Sequence, residues 1–239
     1  MLIAAENDPD KLSQLVLEDG TTVQTQAYLA LRQALMSGRF RPGEEISLRT
    51  TAAALGTSVT PVREALRRLE SEGGLVVQGP NRVLAVPFLS PEALVEIRTI
   101  RIQLEGMATE TACGRMTSRH LRLIRNACAL METAAAKKDA DAYLENNWRF
   151  HSAIYQAARQ PILLELIEGL WVRVGPLIRL ALFRPGHLAH SMECHREAER
   201  AMRDGDGTAA RRAIERDIGD AAKDIAQLLL EETQESKRA

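Results

Sequence analysis

Aromatic residues account for only 4% of the 239 residues, and there are just three cysteines. So low an aromatic share, beside many Ala, Leu and Arg, disfavours a β-rich chain and favours a helical one. Cys113, Cys128 and Cys194 are odd in number, far apart and form no CxxC pair, which argues against a disulfide-stapled secreted protein. The first twenty residues include Glu6, Asp8, Asp10 and Lys11 and lack a long apolar core, so they do not read as a signal peptide. No apolar run approaches membrane-spanning length. The expectation is a cytoplasmic protein with reduced thiols, no membrane partner and a mobile arm over residues 1–21. Repeats and low-complexity tracts are also missing. The formal net charge is only -1. Between Thr25 and Arg82, however, eight Arg and no Lys stand against five Glu, a local excess of three positive charges that leaves -4 elsewhere. That split fits a nucleic-acid footprint confined to one segment.

The segment holds a helix–turn–helix pattern from Ser47 to Arg68. Ser47 is a good N-cap, Leu48, Ala52 and Leu55 recur at helical spacing, and Gly56 stands where a helix ends with positive φ. Thr60 is expected to cap the second helix, with Pro61 at its first position. Val62, Ala65, Leu66 and Leu69 form its apolar stripe, which leaves Arg63 and Arg67 stacked on the outer face. Two outward arginines on a short helix suit the major groove, where Arg can bridge guanine O6 and N7 or hold a phosphate. Leu75–Val77, a turn of Gly79, Pro80, Asn81 and Arg82, and then Val83–Val86 read as a two-stranded wing with Arg82 at its tip. A helix marked by Tyr28, Leu31 and Leu35 completes a three-helix core before it. The expected domains are an arm at 1–21, a winged helix-turn-helix at 22–88 and a helical domain at 89–239.

Beyond Ser90-Pro91 every long segment has helical period: Pro91 to Ala112, Ser118 to Lys138, Ala140 to Arg159, Pro161 to Phe183, His187 to Arg203 and Thr208 to Glu235. The fold class is therefore mainly α, a winged domain followed by an all-α bundle of about six helices. Polar residues interrupt the inward stripes of that bundle. Asn147 and His151 lie one turn apart on a face with Leu144, Trp148 and Tyr155; His195 shares a stripe with Leu188, Ala198 and Met202; Asp217 lies among Ile214, Ile218 and Ile225. A buried polar group without a partner costs on the order of 1–3 kcal/mol, so these four should satisfy one another or an ion. Two imidazoles, an amide oxygen and a carboxylate suit a divalent transition metal such as zinc, nickel or manganese. The alternative is hydrogen bonding alone, with His195 paired to Asp217. Arg101 also faces inward, where it would suit a carboxylate ligand or pair with Glu105 at i, i+4.

Pro42-Gly43, the TPVREAL run from Thr60 and the RLESEG run from Arg68 resemble the winged domain of GntR-type transcription regulators over Gln24 to Phe88. The helical remainder resembles the FCD branch of that family. The resemblance implies a homodimer on a short palindromic operator in double-stranded DNA, and a small organic acid effector with a metal in the bundle. It places base and phosphate contacts on Arg49, Ser58, Thr60, Arg63 and the wing. It also matches Asn147, His151 and His195 to metal ligands, with Asp217 where the family has a third His. Val59 stands where members commonly carry Arg, so the operator is expected to differ. No catalytic residue is expected. Two other functions compete with this one: a constitutive DNA-binding scaffold with a metal-free bundle, and a metal-dependent hydrolase fused to a DNA anchor.

Overall fold

The computed structural model describes residues 22–182 and 184–236, with side chains described up to 231. The arm expected at 1–21 and the helix end expected at Phe183 lie outside the described residues. Nine helices and one two-stranded sheet are present among the described residues. They form two units: one comprises the described residues up to Phe88 with Trp171–Leu177, the other Leu89–Leu170 with Ile178 onward. No helix among the described residues is long and apolar enough to cross a membrane.

In the first unit, α1 spans Val23–Met36, α2 Leu48–Ala54 and α3 Val59–Ser71. Thr22 caps α1, accepting from the Thr25 amide at 3.2 Å, and Ser47 caps α2 from Thr50 at 3.4 Å. Gly56, at φ +62, makes the turn between α2 and α3. Leu31 and Leu35 of α1 and Val62, Ala65, Leu66 and Leu69 of α3 are buried together in this unit's core. One expectation needs correction. Helix α3 begins at Val59 with Ser58 at the N-cap, so Thr60 is inside the helix and Pro61 is its third residue. Proline fits there because the first turn's amides have no acceptor within the helix, so the missing N–H costs nothing.

Strands β1 (Val76–Gln78) and β2 (Val83–Ala85) pair antiparallel, with Val76 opposite Ala85 and Gln78 opposite Val83. The sequence reading did not anticipate what lies on the other side of β2. Ile46 donates to Leu84 O at 2.8 Å, Val86 to Glu44 O at 3.0 Å, and Gly43 to Val86 O at 2.8 Å, so the segment before α2 lines that edge. Within the same unit, a Cβ on Gly175 would stand 2.3 Å from the Leu35 carbonyl oxygen, so the backbone approach there requires glycine.

The second unit holds α4 (Pro91–Cys113), α5 (Ser118–Lys137), α6 (Ala140–Ala157), most of α7 (Pro161–Ala181), α8 (His187–Asp204) and α9 (Gly207–Ser236). Local chemistry sets their ends. Ser90 caps α4 with Pro91 at its start, Thr117 and His120 form a reciprocal capping box on α5, and Asp139 caps α6. Left-handed Gly186 and Gly205 flank α8. Large apolar side chains fill the centre, among them Ile124, Met131, Phe150, Ile154 and Ile214. Into this apolar surround α4, α6, α8 and α9 each place polar side chains.

Candidate functional sites

The reader face in the first unit is built from charge left in water. Arg49, Ser58, Thr60, Arg63, Arg67 and Arg82 are all exposed. Their positions follow from the stripe on α3, which buries one side of the helix and turns Arg63 and Arg67 outward. Arg67 pairs with Glu64 at 3.1 Å, whereas no described residue forms an ion pair with Arg63. Ser58 occupies the N-cap without making a side-chain cap bond, so its hydroxyl is not spent on the helix. Arg82 adopts φ +51 at the wing tip, its amide donating to Gly79 O at 3.2 Å. Arg68, by contrast, belongs to the scaffold. Its guanidinium lies 3.7 Å from the Tyr28 ring centroid and bonds Glu72 at 3.2 Å. Burial, with the Glu72 hydrogen bond, pushes the Tyr28 hydroxyl up to about 12.

The second site is a buried centre where α6, α8 and α9 meet. His151 Nε2 lies 3.2 Å from His195 Nε2, and Asp217 Oδ2 lies 3.5 Å and 3.7 Å from these two nitrogens. His151 and His195 are 1% and 0% exposed. Phe150 presses edge-on against both imidazoles, at 5.4 Å and 4.8 Å between centroids, and keeps water from that side. Burial holds the His195 imidazolium down to about 4, so this ring is neutral near pH 7. Burial works the other way on the Asp217 carboxyl, but His195 and His151 outweigh it and hold the group below the usual carboxylate range.

The outer nitrogens decide which way the rings are protonated. Tyr155 Oη donates to Glu105 Oε2 and lies 2.9 Å from His151 Nδ1. A phenol has one O–H to donate, and here it points at the carboxylate, so the bond to His151 is assigned from Nδ1–H to Oη. His195 Nδ1 lies 3.5 Å from Ser191 Oγ, while Ser191 donates to Asp217 Oδ1 at 2.7 Å. His151 Nε2 therefore presents a lone pair to His195 Nε2 and to a carboxylate oxygen. A lone pair facing a carboxylate is repelled unless a proton on the neighbouring imidazole or a cation lies between them. Donors held 2.0–2.2 Å from one ion stand roughly 3–3.6 Å apart; the 3.2 and 3.5 Å separations fall in that range and the 3.7 Å one lies just above it. His151, His195 and Asp217 are the one group of His, Cys, Asp or Glu among the described residues compact enough to hold an ion. Asn147 is buried one turn before His151 on α6.

Arg101 and Glu105 form a buried pair on α4, with Nε to Oε1 at 2.6 Å and Nη2 to Oε2 at 3.4 Å. Burial alone would lower the Arg101 pKa, and Glu105 reverses this to a net rise. The two residues thus meet as the sequence spacing suggested, and the pair continues through Tyr155 to His151. Tyr155 and Ser191 carry weight that the sequence reading did not assign. Each sits four residues from a histidine on the same helix, at 151 and 195, and that spacing was the available signal. Cys194 lies outside the centre, its Sγ accepting from Arg216 Nε at 3.3 Å.

A winged helix-turn-helix with an outward cationic helix, followed by a six-helix bundle around a His/Asp centre, narrows the comparison with known proteins. The family model described as bacterial regulatory proteins, gntR family, matches residues 23–83, and the FCD domain model matches residues 96–220. The chain belongs to the GntR family. Among its GntR relatives, the HTH-type transcriptional regulator McbR of Escherichia coli (strain K12) is 38% identical over 146 residues, 61% of this chain and 66% of that protein. The probable D-xylose utilization operon transcriptional repressor of Paenarthrobacter nicotinovorans is 30% identical over 194 residues, 81% of this chain and 84% of that one. The solved structure described as E. coli McbR/YncC aligns with a TM-score of 0.79 at 30% identity, covering 88% of this chain and 100% of that chain. This GntR-family chain is a DNA-binding transcription regulator, not an enzyme.

Proposed function

We propose that the chain is a repressor that binds a short palindromic operator as a homodimer and is released or retained by a small carboxylate effector in the bundle. Residues 22–88 read DNA, and residues 89–239 sense the effector and dimerise. Arg63 is the base-reading arginine, Arg49, Ser58, Thr60 and Arg67 hold the backbone and groove edge, and Arg82 reaches from the wing. The bundle's part rests on one observation: two imidazole nitrogens and a carboxylate oxygen converge at 3.2–3.7 Å in the buried interior. His151, His195 and Asp217, with Asn147, are the residues that would hold a divalent transition metal. Such an ion would supply positive charge for an acid's carboxylate. Arg101, kept in place by Glu105, adds a second cation on the same side of the sensing problem.

Regulation follows if the effector binds one arrangement of the helices better than another, because operator affinity then changes by that difference. Native mass spectrometry of the full chain tests the sensing half. The expected spectrum shows a dimer with one retained divalent ion per chain. A bare monomer unchanged by added Zn²⁺, Ni²⁺ or Mn²⁺ would leave a DNA-binding scaffold and remove the metal from the account.

A further inference from the structure

Resting on the proposed metal centre, we infer that Tyr155 is a positioning residue that holds His151 ready for a metal and ties it to the Arg101–Glu105 pair. The chain of contacts is continuous. Arg101 Nε meets Glu105 Oε1 at 2.6 Å, Glu105 Oε2 accepts a hydrogen bond from Tyr155 Oη–H, and Tyr155 Oη lies 2.9 Å from His151 Nδ1. All four side chains are buried, Glu105 at 0% and Tyr155 at 1% exposure, so water offers none of them a substitute partner.

Direction is what gives the arrangement its function. Glu105 is a carboxylate clamped by a guanidinium, so it accepts the hydrogen bond from the phenol O–H. The phenol oxygen is then free only to accept, so His151 keeps its proton on Nδ1 and turns a bare Nε2 toward His195 and Asp217. Without the hydroxyl, Nδ1–H loses the acceptor that Tyr155 provides. The other tautomer then becomes favourable, with Nε2–H pointing at Asp217 Oδ2, 3.5 Å away, where an ion would otherwise sit. The residue therefore decides whether the centre is closed by a proton or open to a cation. Glu105 and Arg101 lie further along the same series, so an acid that draws on the Arg101 guanidinium changes the acceptor that Tyr155 leans on. Metal and effector occupancy are linked through three bonds, and that linkage is reciprocal.

Tyr155→Phe in the full-length protein tests this, read by Zn²⁺ titration calorimetry and by ¹⁵N NMR of the His151 ring nitrogens without metal. The expected result is a 10–100-fold weaker Zn²⁺ affinity, the usual scale for losing a metal ligand's outer partner, with the His151 proton moving from Nδ1 to Nε2. Affinity within threefold of wild type and an unmoved proton overturn the inference. If the variant does not fold, the wild-type apoprotein decides: an Nδ1–H ring supports the role and an Nε2–H ring refutes it. Wild type that takes up no Zn²⁺ sinks the proposed metal control, while the tautomer measurement still judges Tyr155 by itself.

Discussion

Arg63 on α3 stands in solvent with no ion pair to any described residue, whereas Arg101 on α4 is 5% exposed and locked to Glu105. The same side chain serves opposite ends. On a surface, water stabilises the guanidinium at no structural expense, and the group stays available for phosphate or guanine. In the interior the charge persists only because a carboxylate matches it, and that carboxylate in turn needs Tyr155. A reader can be assembled from independent residues. A buried sensor cannot, since each member's protonation and direction depend on the next.

Breaking the interior set should therefore produce the largest effects. Glu105→Ala leaves Arg101 buried without its carboxylate and should cost about 3–5 kcal/mol of stability, seen as a lower urea midpoint. Acidification acts next, with metal removed by a chelator. His195 sits at about 4 in the fold because burial disfavours its cation, against about 6.5 unfolded. Between those values the unfolded chain binds a proton that the folded chain refuses. Stability should be whole above pH 6.5 and fall by on the order of 3 kcal/mol as the pH drops to 4. A flat pH profile over that window would show that His195 is not sealed from water.

Exposed residues should give smaller and separable effects. Arg63→Ala should weaken operator binding by roughly 1–3 kcal/mol and relax sequence preference in a mobility-shift assay, with the melting temperature unchanged. Intact preference would remove Arg63 from the base-reading role. Arg67→Ala should do least. Its pairing with Glu64 at 3.1 Å already spends part of its charge, so the expected change is a salt slope reduced by about one and a uniform loss below roughly tenfold. Combining Arg67→Ala with Glu105→Ala should give additive losses; coupling between them would contradict the contrast between independent and interlocked charges.

Most of the fold was legible because its signals are local. Ser90-Pro91 announces α4, Gly186 and Gly205 bound α8, and all six bundle helices fall within two residues of the positions their periodicity suggested, apart from the end at Phe183. The start of α3 was misplaced by two residues because Ser58 and Thr60 are both plausible caps and Pro61 is acceptable throughout the first turn. Inward periodicity also singled out His151, His195 and Asp217 as candidates, and the structure brings them together. Their tautomers were not readable. Those depend on Tyr155 and Ser191, and on Glu105 reaching across from a helix 50 residues away in sequence. The strand-like pairing of Glu44–Ile46 was missed for a similar reason: its bonds to Leu84 and Val86 are long-range, and no alternation in so short a run marks it.

That pairing gives the hairpin a splint. Because β2 is gripped along both of its sides, the outer edge of β1 is the hairpin edge without a strand pairing among the described residues, and three residues are too few to recruit another strand. The reach of the tip is thus fixed by the domain's framework and not by the loop's own stiffness. Swapping the residues between Gly79 and Arg82 should retune what the tip touches without moving the arm that carries it.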